Sequence, residues 1–419
     1  MHVLIVNTAE RTGGAAIAAN RLMHALNHNG IEARMLVRDR KTDSTNVVNI
    51  PQSWQLKAKF LWERGVIWLN NNLSKQNIFQ VDIANTGTDI TDMDAFHWAD
   101  VIHLHWVNQG FLSLGDLDRI IASGKPVVVT LHDQWYFTGI CHYSGVCEKY
   151  KSQCAKCPML KGSHMDLAKK VFDRKREIYE GRNITFVGCS HWMADLARQS
   201  TLTVGHMVTN VPNAIDTEVF TPMDKTEARK KFNLPQDMRL LLFGAQRITD
   251  KRKGFRFLVE ACEHIAMHHP TLPGHLGLVV LGGDAESVKE ALPLPVYTVN
   301  YLSNEADIAQ LYNAADLFVT PSLQDNLPNT IVEAMSCGVP CVGFNVGGIP
   351  EMINHKQDGY VADYCDSIDF AQGIAWCLNE TRLPALSAAA RTTALATYSE
   401  TAVARQHLTI YQSALNNTK

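Results

Sequence analysis

The amino-acid sequence predicts an α/β protein made of two doubly wound, Rossmann-like domains. Its 419 residues are more than one ordinary hydrophobic core holds, so two domains of roughly 200 residues each are expected. Short β-branched or aliphatic runs alternate with longer helical patterns up to about residue 395, which is typical of βαβ units around parallel sheets. Hydrophobic residues make up 46% of the chain and charged residues 19%, a balance that argues against long disordered stretches.

The first half of the chain contains five predicted strands. They are His2–Asn7, Ala33–Val37, Val101–His105, Pro126–Leu131 and Ile184–Cys189. After the first of them, apolar residues recur at helical spacing from Ala15 to Asn29, and Gly30 follows as a C-terminal signal. A strand followed by such a helix is the first βα unit of the predicted sheet.

The second half contains five more predicted strands. They are Arg239–Gly244, Leu276–Leu281, Val296–Tyr301, Leu317–Pro321 and Pro340–Phe344. A Pro- and charge-rich stretch after residues 211–216 predicts the hinge, so the expected domains are residues 1–210 and 211–395. Because open α/β sheets bind ligands at the carboxyl ends of their strands, we expect the two domains to face a central cleft.

Charge and hydropathy exclude several classes of function. The formal net charge is -3 with the 17 histidines counted as neutral, so nothing attracts the chain as a whole to nucleic acid. The sequence starts with the apolar run Val3 to Val6 and lacks the pattern of a signal peptide, and no apolar run reaches the ~20 residues of a membrane helix. We expect a cytoplasmic protein, peripheral to the inner face of the membrane at most.

Two loops of the first half carry candidate binding residues. Gly13 and Gly14 lie between the first strand and the first helix, where glycine lets the backbone approach a phosphate or a sugar. An ordinary βα turn would look the same. His132 directly follows the strand Pro126–Leu131, at the edge that faces the expected cleft, and is a candidate for contacting a sugar. The alternative for His132 is a structural role.

The second half carries two cations after a predicted strand. Arg247 follows the strand Arg239–Gly244, and Lys253 comes after a short polar insert. A diphosphate leaving group gains negative charge as its bond to a sugar breaks, and fixed cations stabilise that charge when no divalent metal does so. Arg247 can bind it as a planar fork and Lys253 as a point charge. The alternative is that Arg247 and Lys253 lie in a solvent-exposed turn and bind no ligand.

The most specific segment lies between Pro321 and Pro340. A strand of the buried type ends there, a loop carries Asp325, and a helix begins near Asn329 with Glu333 one turn in. The backbone N–H groups of the loop and of the helix N-terminus can bind a diphosphate. The two carboxylates can accept hydrogen bonds from the hydroxyls of a sugar and of a ribose, one each. The alternative for Glu333 is complementation of the helix dipole.

These residues resemble the motifs of a known family. Arg247, Lys253, the D-x7-E stretch from Asp325 to Glu333 and the run Glu-Ala-Met-Ser-Cys-Gly-Val-Pro are similar to those of the retaining GT-B glycosyltransferases with an E-x7-E motif, known as glycosyl transferases group 1 or family 4. The resemblance covers essentially the whole chain. Two positions depart from the pattern, because Asp325 replaces the usual first Glu and Ala214 replaces the usual Gly of Pro-Asn-Gly.

For the C-terminal domain, the resemblance implies binding of a nucleotide-sugar, a UDP- or GDP-sugar. It implies that Glu333 binds the donor ribose and that Asp325, with the Asn326 and Leu327 backbone, holds hydroxyls of the transferred sugar. The two cations after the strand Arg239–Gly244 would stabilise the diphosphate. No catalytic metal is then needed.

For the N-terminal domain, the resemblance implies the acceptor side. His132 would contact the sugar, and Gly13 and Gly14 would line the reaction centre. A C-terminal crossover helix, residues 396–419, would return to this domain. Transfer would retain the anomeric configuration by displacement on one face of the sugar, in which the leaving phosphate oxygen takes the proton of the acceptor.

Four cysteines crowd into the loop after His132. They are Cys141, Cys147, Cys154 and Cys157. A C-x2-C pair with two upstream cysteines can surround a tetrahedral Zn²⁺, and His142 can replace one sulfur. The alternatives are free thiols, disulfides or an iron–sulfur cluster. A structural zinc ion here would shape an acceptor pocket and take no part in the bond chemistry.

The stretch from Trp54 to Phe79 mixes aromatic and aliphatic residues with Lys57, Lys59 and Arg64. A helix of this composition either packs against the sheet or docks a lipid-linked acceptor or a bilayer surface. The sequence leaves both interpretations open, and peripheral membrane association is therefore one of the expected partnerships.

The predicted function is that of a glycosyltransferase of the hexosyltransferase type. It would transfer a sugar from a nucleotide diphosphate donor to a glycan or lipid-linked oligosaccharide in surface polysaccharide biosynthesis. One alternative is a nucleotide-sugar epimerase or hydrolase of the same fold, which would need an added acid/base pair at the sugar. Another is a non-catalytic glycan-binding module, which would have no need for leaving-group cations.

Overall fold

The computed structural model describes residues 1–162, 165–268, 275–283 and 285–417 of the chain. The chain divides into two compact units. Unit 1 comprises Met1–Asn213 together with the chain from Val403 onward, and unit 2 comprises Ala214–Ala402. Each unit contains one parallel sheet with helices packed on it, so the predicted class of two Rossmann-like α/β domains is confirmed.

Unit 1 is built on a parallel sheet of seven strands. In chain order these are β1 (His2–Ala9), β2 (Glu32–Asp39), β3 (Val47–Asn49), β4 (Val101–Leu104), β5 (Val127–Leu131), β6 (Ile184–Gly188) and β7 (Met207–Asn210). Their order across the sheet is β3-β2-β1-β4-β5-β6-β7. The winding direction reverses between β1 and β4, which is where doubly wound sheets open a binding crevice.

Seven helices belong to unit 1 within the described residues. They are α1 (Gly14–His28), α2 (Trp54–Asn70), α3 (Asp94–Trp98), α4 (Leu114–Ala122), α5 (Leu167–Tyr179), α6 (His191–Arg198) and, from the C-terminal part of the chain, α14 (Glu400–Asn416). The middle strands β4, β5 and β6 are buried along their whole length, as expected for a parallel sheet covered on both faces. The last helix brings Tyr411 and His407 into this core.

Unit 2 is built on a parallel sheet of six strands. In chain order these are β8 (Arg239–Gly244), β9 (Leu276–Leu281), β10 (Val296–Val299), β11 (Leu317–Thr320), β12 (Cys341–Phe344) and β13 (Gly359–Ala362). Their order is β10-β9-β8-β11-β12-β13, so the winding direction reverses between β8 and β11. The helices described in this unit are α7 (Lys225–Lys231), α8 (Phe255–His268), α9 (Glu305–Ala314), α10 (Asn329–Ser336), α11 (Ile349–Met352), α12 (Ser367–Cys377) and α13 (Leu383–Tyr398).

A buried carboxylate joins the two strands on either side of that reversal. Asp316, just before β11, accepts the backbone N–H of Leu240 at 2.8 Å and pairs with Arg229 at 2.7 Å and Lys225 at 2.8 Å. Burial alone would raise the pKa of Asp316, but Lys225, the Leu240 N–H and Arg229 hold it below its usual value. The ionised side chain therefore fixes β11 against β8 at the end of the sheet opposite the binding edge.

Candidate functional site

The candidate site of unit 2 lies at the carboxyl ends of β8 and β11. The loop after β8 carries Arg247 and then Lys253, which ends a short 3-10 turn just before α8. The loop after β11 carries Asp325 and leads into α10 with Glu333. Because β8 and β11 are parallel neighbours, these loops emerge at the same edge of the sheet, at its topological switch point.

Lys253 and Asp325 are in direct contact across the switch point. The Lys253 Nζ donates to Asp325 Oδ2 at 2.7 Å, and the Ser322 hydroxyl lies 3.5 Å from the same oxygen. Both charged side chains remain partly exposed, so a ligand can reach them. Arg247 is exposed on the preceding loop. One anionic ligand can therefore meet the ammonium group while a neighbouring hydroxyl donates to the carboxylate.

The loop with Asp325 is held by two close backbone approaches. A Cβ at Gly254 would lie 1.8 Å from the Pro321 carbonyl oxygen, and a Cβ at Gly347 would lie 1.8 Å from the Asp325 carbonyl oxygen. Both glycines have positive φ, 66° and 60°. Only glycine fits at these positions, and the close packing fixes the loop from both sides. The following Asn326 is buried, with 4% exposure.

Leu327 and Glu333 are also buried, with 8% and 7% exposure. The Tyr312 hydroxyl donates to Glu333 Oε2 at 2.9 Å. A carboxylate has two oxygens with about four lone-pair sites, so a contact with tyrosine is compatible with accepting hydrogen bonds from ligand hydroxyls. Complementation of the helix dipole does not require such a partner, so the contact favours a binding role for Glu333 on α10.

In unit 1, the glycine loop lies at the corresponding switch point, after β1. Gly13 has φ 91° and ψ 162° and is the N-cap of α1, whose first residue is Gly14. A Cβ at Gly13 would meet no atom within 4 Å, so backbone conformation and not crowding selects glycine there. The buried Glu10 fixes the loop, because it accepts the backbone N–H of Lys41 at 2.5 Å and of Thr42 at 2.9 Å.

His132 directly follows β5 and makes contacts inside unit 1. Its Nε2 lies 2.8 Å from Nδ1 of His105, and its Nδ1 lies 3.6 Å from the Cys189 sulfur. Burial lowers the pKa of His132 to about 4, against the opposing effect of Asp133, and lowers the pKa of His105 well below its usual value. Both imidazoles are therefore neutral near pH 7, and both ring nitrogens of His132 face partners within unit 1.

The adjacent Asp133 belongs to a buried network that the sequence did not predict. His142 lies between two carboxylates, 2.7 Å from Asp133 Oδ2 and 2.5 Å from Asp82 Oδ2. Burial alone would lower the pKa of His142, but the two carboxylates raise it to about 10. Asp82 also pairs with Arg64. Both imidazole nitrogens face carboxylates, so the structure does not favour the alternative in which His142 replaces a zinc-binding sulfur.

The four cysteines of the neighbouring loop carry free thiols. The pKa of the Cys141 thiol is raised to about 12, mainly by burial and also by the other three sulfurs, and that of Cys154 is raised to about 11. Cys154 also accepts the backbone N–H of Gly139 at 3.2 Å. Among the described residues, however, no group of three or more His, Cys, Asp or Glu side chains is arranged to hold a metal. The structural zinc ion remains a prediction.

A buried lysine holds the segment between His132 and the cysteine loop. Lys175 of α5 is fully buried and donates to the carbonyls of Trp135, Thr138 and Gly139 at 2.5, 3.1 and 3.1 Å. Its Nζ also lies 3.5 Å from the centre of the Trp135 ring. Burial lowers the pKa of Lys175 to about 7. Unit 1 therefore fixes the segment after His132 by side-chain contacts from α5.

The comparison with known protein families gives a match within unit 2. Residues 238–380 match the family model described as glycosyl transferases group 1. This matched part of the chain lies within unit 2 and is similar to members of that family. The match contains β8 to β13 and every candidate residue of unit 2, so the resemblance proposed from the motifs of that unit is confirmed at the level of the family.

Curated relatives match part of the length of this chain. One is N-acetyl-alpha-D-glucosaminyl L-malate synthase of Bacillus anthracis, 25% identical over 223 residues, which are 51% of this chain and 55% of the relative. Another is D-inositol 3-phosphate glycosyltransferase of Stackebrandtia nassauensis, 30% identical over 178 residues, which are 40% of each protein. The chain thus spans about half the length of these relatives or less.

Solved structures match the fold over nearly the whole chain. Sucrose-phosphate synthase from Thermosynechococcus elongatus has a TM-score of 0.69 at 17% identity, covering 99% of both chains. HepE of Anabaena in complex with UDP-glucose has a TM-score of 0.63 at 15% identity, covering 99% of this chain and 100% of HepE. At these identities the likeness concerns the fold alone, and the predicted GT-B class is confirmed.

Proposed function

We propose that this chain is a retaining glycosyltransferase that uses a nucleotide diphosphate sugar. The observation that carries the proposal is the contact of Lys253 with Asp325 at the switch point of unit 2. An ammonium group and a sugar-binding carboxylate 2.7 Å apart suit the junction of a diphosphate with its sugar, where the bond breaks. The printed description of HepE, in complex with UDP-glucose, supports this class of donor.

The proposed roles follow the chemistry of each side chain. Lys253 and Arg247 stabilise the charge that develops on the diphosphate. Glu333 accepts hydrogen bonds from the ribose hydroxyls. Asp325, with the backbone of Asn326 and Leu327, holds hydroxyls of the transferred sugar. In unit 1, the acceptor-side domain of the proposal, His132 contacts the sugar as a neutral imidazole, and Gly13 and Gly14 line the reaction centre.

The proposed reaction needs no protein nucleophile and no catalytic metal. The anomeric carbon–phosphate oxygen bond breaks, and the acceptor oxygen bonds to the anomeric carbon on the same face. The departing phosphate oxygen takes the proton from the acceptor hydroxyl, so the products are a nucleoside diphosphate and the new glycoside. The acceptor we propose is a glycan or lipid-linked oligosaccharide of surface polysaccharide biosynthesis, reached from the cytoplasm.

Nucleotide binding tests the donor half of this proposal. We expect one of UDP, GDP and ADP to raise the melting temperature selectively, by about 5–10 °C at about 100 times its Kd, because a ligand of the folded state stabilises it by mass action. The Glu333→Ala variant should lose most of this shift relative to its own nucleotide-free melting temperature. Differential scanning fluorimetry measures both.

The matched control is Glu260→Ala, which removes an exposed carboxylate from α8 of the same unit. It should keep the full nucleotide shift. No shift with any of the three nucleotides, or an equal shift in both variants, would contradict the proposal. Release of free sugar from the donor without an acceptor, at the rate seen with an acceptor, would favour the hydrolase alternative.

We retain one structural zinc ion per chain as a proposal for the cysteine loop. What supports it is the spacing of Cys141, Cys147, Cys154 and Cys157, a C-x2-C pair with two upstream cysteines in one short segment. Binding would have to deprotonate buried thiols, so affinity should rise with pH. Elemental analysis of the purified protein should give about one zinc per chain. If the purified protein contains no metal and all ten cysteine thiols titrate after unfolding, the zinc proposal is wrong and these cysteines are unpaired thiols.

A further inference from the structure

The outward face of α2 and of the loop after it exposes a row of large apolar side chains. We define the α2 stripe as Trp54, Leu61, Trp62, Leu69, Leu73 and Phe79, which are 78, 65, 62, 61, 57 and 66% exposed. The helical members lie seven or eight positions apart or side by side, which places them along one face of the helix. So many large apolar side chains exposed within one short segment are uncommon on a monomer and indicate an interaction surface.

The opposite face of α2 is fixed to unit 1, so the stripe cannot turn inward. Glu63 is fully buried and accepts the backbone N–H of Ile83 at 2.9 Å and of Ala84 at 2.7 Å. Arg64 donates to the Val81 carbonyl at 2.9 Å. Buried apolar residues such as Ile67 pack beside these contacts. The expected packing against the domain therefore applies to one face, while the aromatic face remains in solvent.

Within residues 54–79, the exposed charge has a single sign. Glu63 is the only acidic residue between positions 54 and 79, and it is buried. Lys57 and Lys75 are exposed in the same segment. Lys59 donates to the Gly87 carbonyl at 2.5 Å and stays partly exposed. The stripe thus combines exposed tryptophan and leucine with positive charge and lacks exposed carboxylates.

We propose that the α2 stripe is the surface by which this protein lies on an anionic lipid bilayer. Indole rings partition to the boundary between headgroups and acyl chains, leucine side chains enter the boundary, and lysines attract anionic headgroups. Charge complementarity favours this occupant over a second copy of the chain, because two copies would bring the same lysines together. The proposal does not rest on the proposed transferase activity.

The α2 stripe also determines the orientation of the protein on the bilayer. None of the described helices has the length and apolar composition needed to cross a membrane. The buried contacts of Glu63 and Arg64 keep α2 attached to its domain, so the helix axis lies in the plane of the surface. The apolar side chains enter the interface, and the association is reversible and sensitive to salt.

Vesicle sedimentation tests this proposal. The full-length protein should pellet with vesicles of three parts phosphatidylcholine and one part phosphatidylglycerol, and less with phosphatidylcholine alone. The Trp54→Ser/Leu61→Ser/Trp62→Ser variant should bind the mixed vesicles roughly tenfold more weakly or worse. Replacing Lys57 and Lys75 by glutamine should weaken binding to anionic vesicles by about fivefold for each lysine and leave binding to neutral vesicles unchanged.

Two controls separate membrane contact from other effects of these substitutions. Val204→Ser/Met207→Ser removes two exposed apolar side chains of unit 1 outside the stripe and should bind vesicles like the parent. Trp54→Phe/Trp62→Phe should keep binding but lose most of the fluorescence quenching by brominated acyl chains. Equal vesicle binding by the triple-serine variant and the parent would overturn the proposal. So would a self-association in sedimentation velocity that the triple-serine variant abolishes, because the stripe would then join two copies.

Discussion

Replacing Lys253 by alanine is expected to abolish measurable turnover of the nucleotide-sugar while the protein stays folded. The ammonium group lies at the switch point of unit 2, 2.7 Å from Asp325, where the proposed bond breakage releases a diphosphate. Removing one fixed charge that stabilises a developing anion costs about 10²–10³-fold in kcat. The measurement is release of nucleoside diphosphate, together with the circular dichroism spectrum and the melting temperature of the variant.

Loss of activity in Lys253→Ala has a second explanation, which the structure makes testable. The substitution also leaves Asp325 without its ammonium partner, and an unpaired carboxylate would repel a diphosphate. The double variant Lys253→Ala/Asp325→Asn removes both charges and separates the two effects. If Lys253 acts on the leaving group, the double variant stays inactive, whereas recovered activity would assign Lys253 to neutralising Asp325. Lys251→Ala, an exposed lysine two positions earlier, should be fully active.

The largest expected effect on stability comes from Asp316→Ala. This substitution leaves Arg229, whose side chain is 5% exposed, without its buried carboxylate partner, and the Leu240 N–H loses its acceptor. Breaking a buried ion pair from one side costs about 3–5 kcal/mol in the free energy of unfolding. Urea unfolding followed by tryptophan fluorescence measures the change. Since Asp316 joins β8 to β11, a transition confined to unit 2 is expected.

The pH dependence of stability provides an independent check on Asp316. Its pKa in the folded state lies below the usual value of 3.8, so its contribution is fully present above pH 3.8 and is lost as pH falls through the folded-state pKa. The variant Asp316→Ala should therefore lose part of the acid sensitivity of the parent. Asp237→Ala, an exposed aspartate of the same unit, should leave both stability and its pH dependence unchanged. Identical acid unfolding of parent and Asp316→Ala would refute this account.

The sequence predicted the interior of both sheets better than their edges. All ten predicted strands are present, and the three that were missed, β3, β7 and β13, are each at the edge of a sheet. β3 has only three residues, and the burial pattern of β7 contains no fully buried residue, so hydrophobic runs do not reveal these two strands. Three predicted strands included a terminal proline that the structure leaves out, because proline has no N–H for the ladder.

The sequence predicted the candidate site residues that directly follow strands. It did not predict the contacts that depend on how side chains pack in the folded protein. Lys253 and Asp325 are 72 positions apart in sequence, and their contact follows from β8 and β11 being neighbours. The pairing of His142 with Asp82 could not be foreseen, because Asp82 lies in a loop without a motif. The exposure of Trp54 could not be foreseen either, because an aromatic residue at helical spacing reads the same whether it faces the core or the solvent.

The last helix, α14, has a consequence for how the chain folds as it leaves the ribosome. The Tyr411 hydroxyl lies 2.8 Å from Nδ1 of His103 on β4, and the His407 ring lies 5.3 Å from the same imidazole. The sheet of unit 1 is translated before unit 2, yet this part of its core receives those rings only after the whole of unit 2 has been translated. Unit 2 is contiguous along the chain and has no such delay. The unit that is translated first therefore completes its packing last.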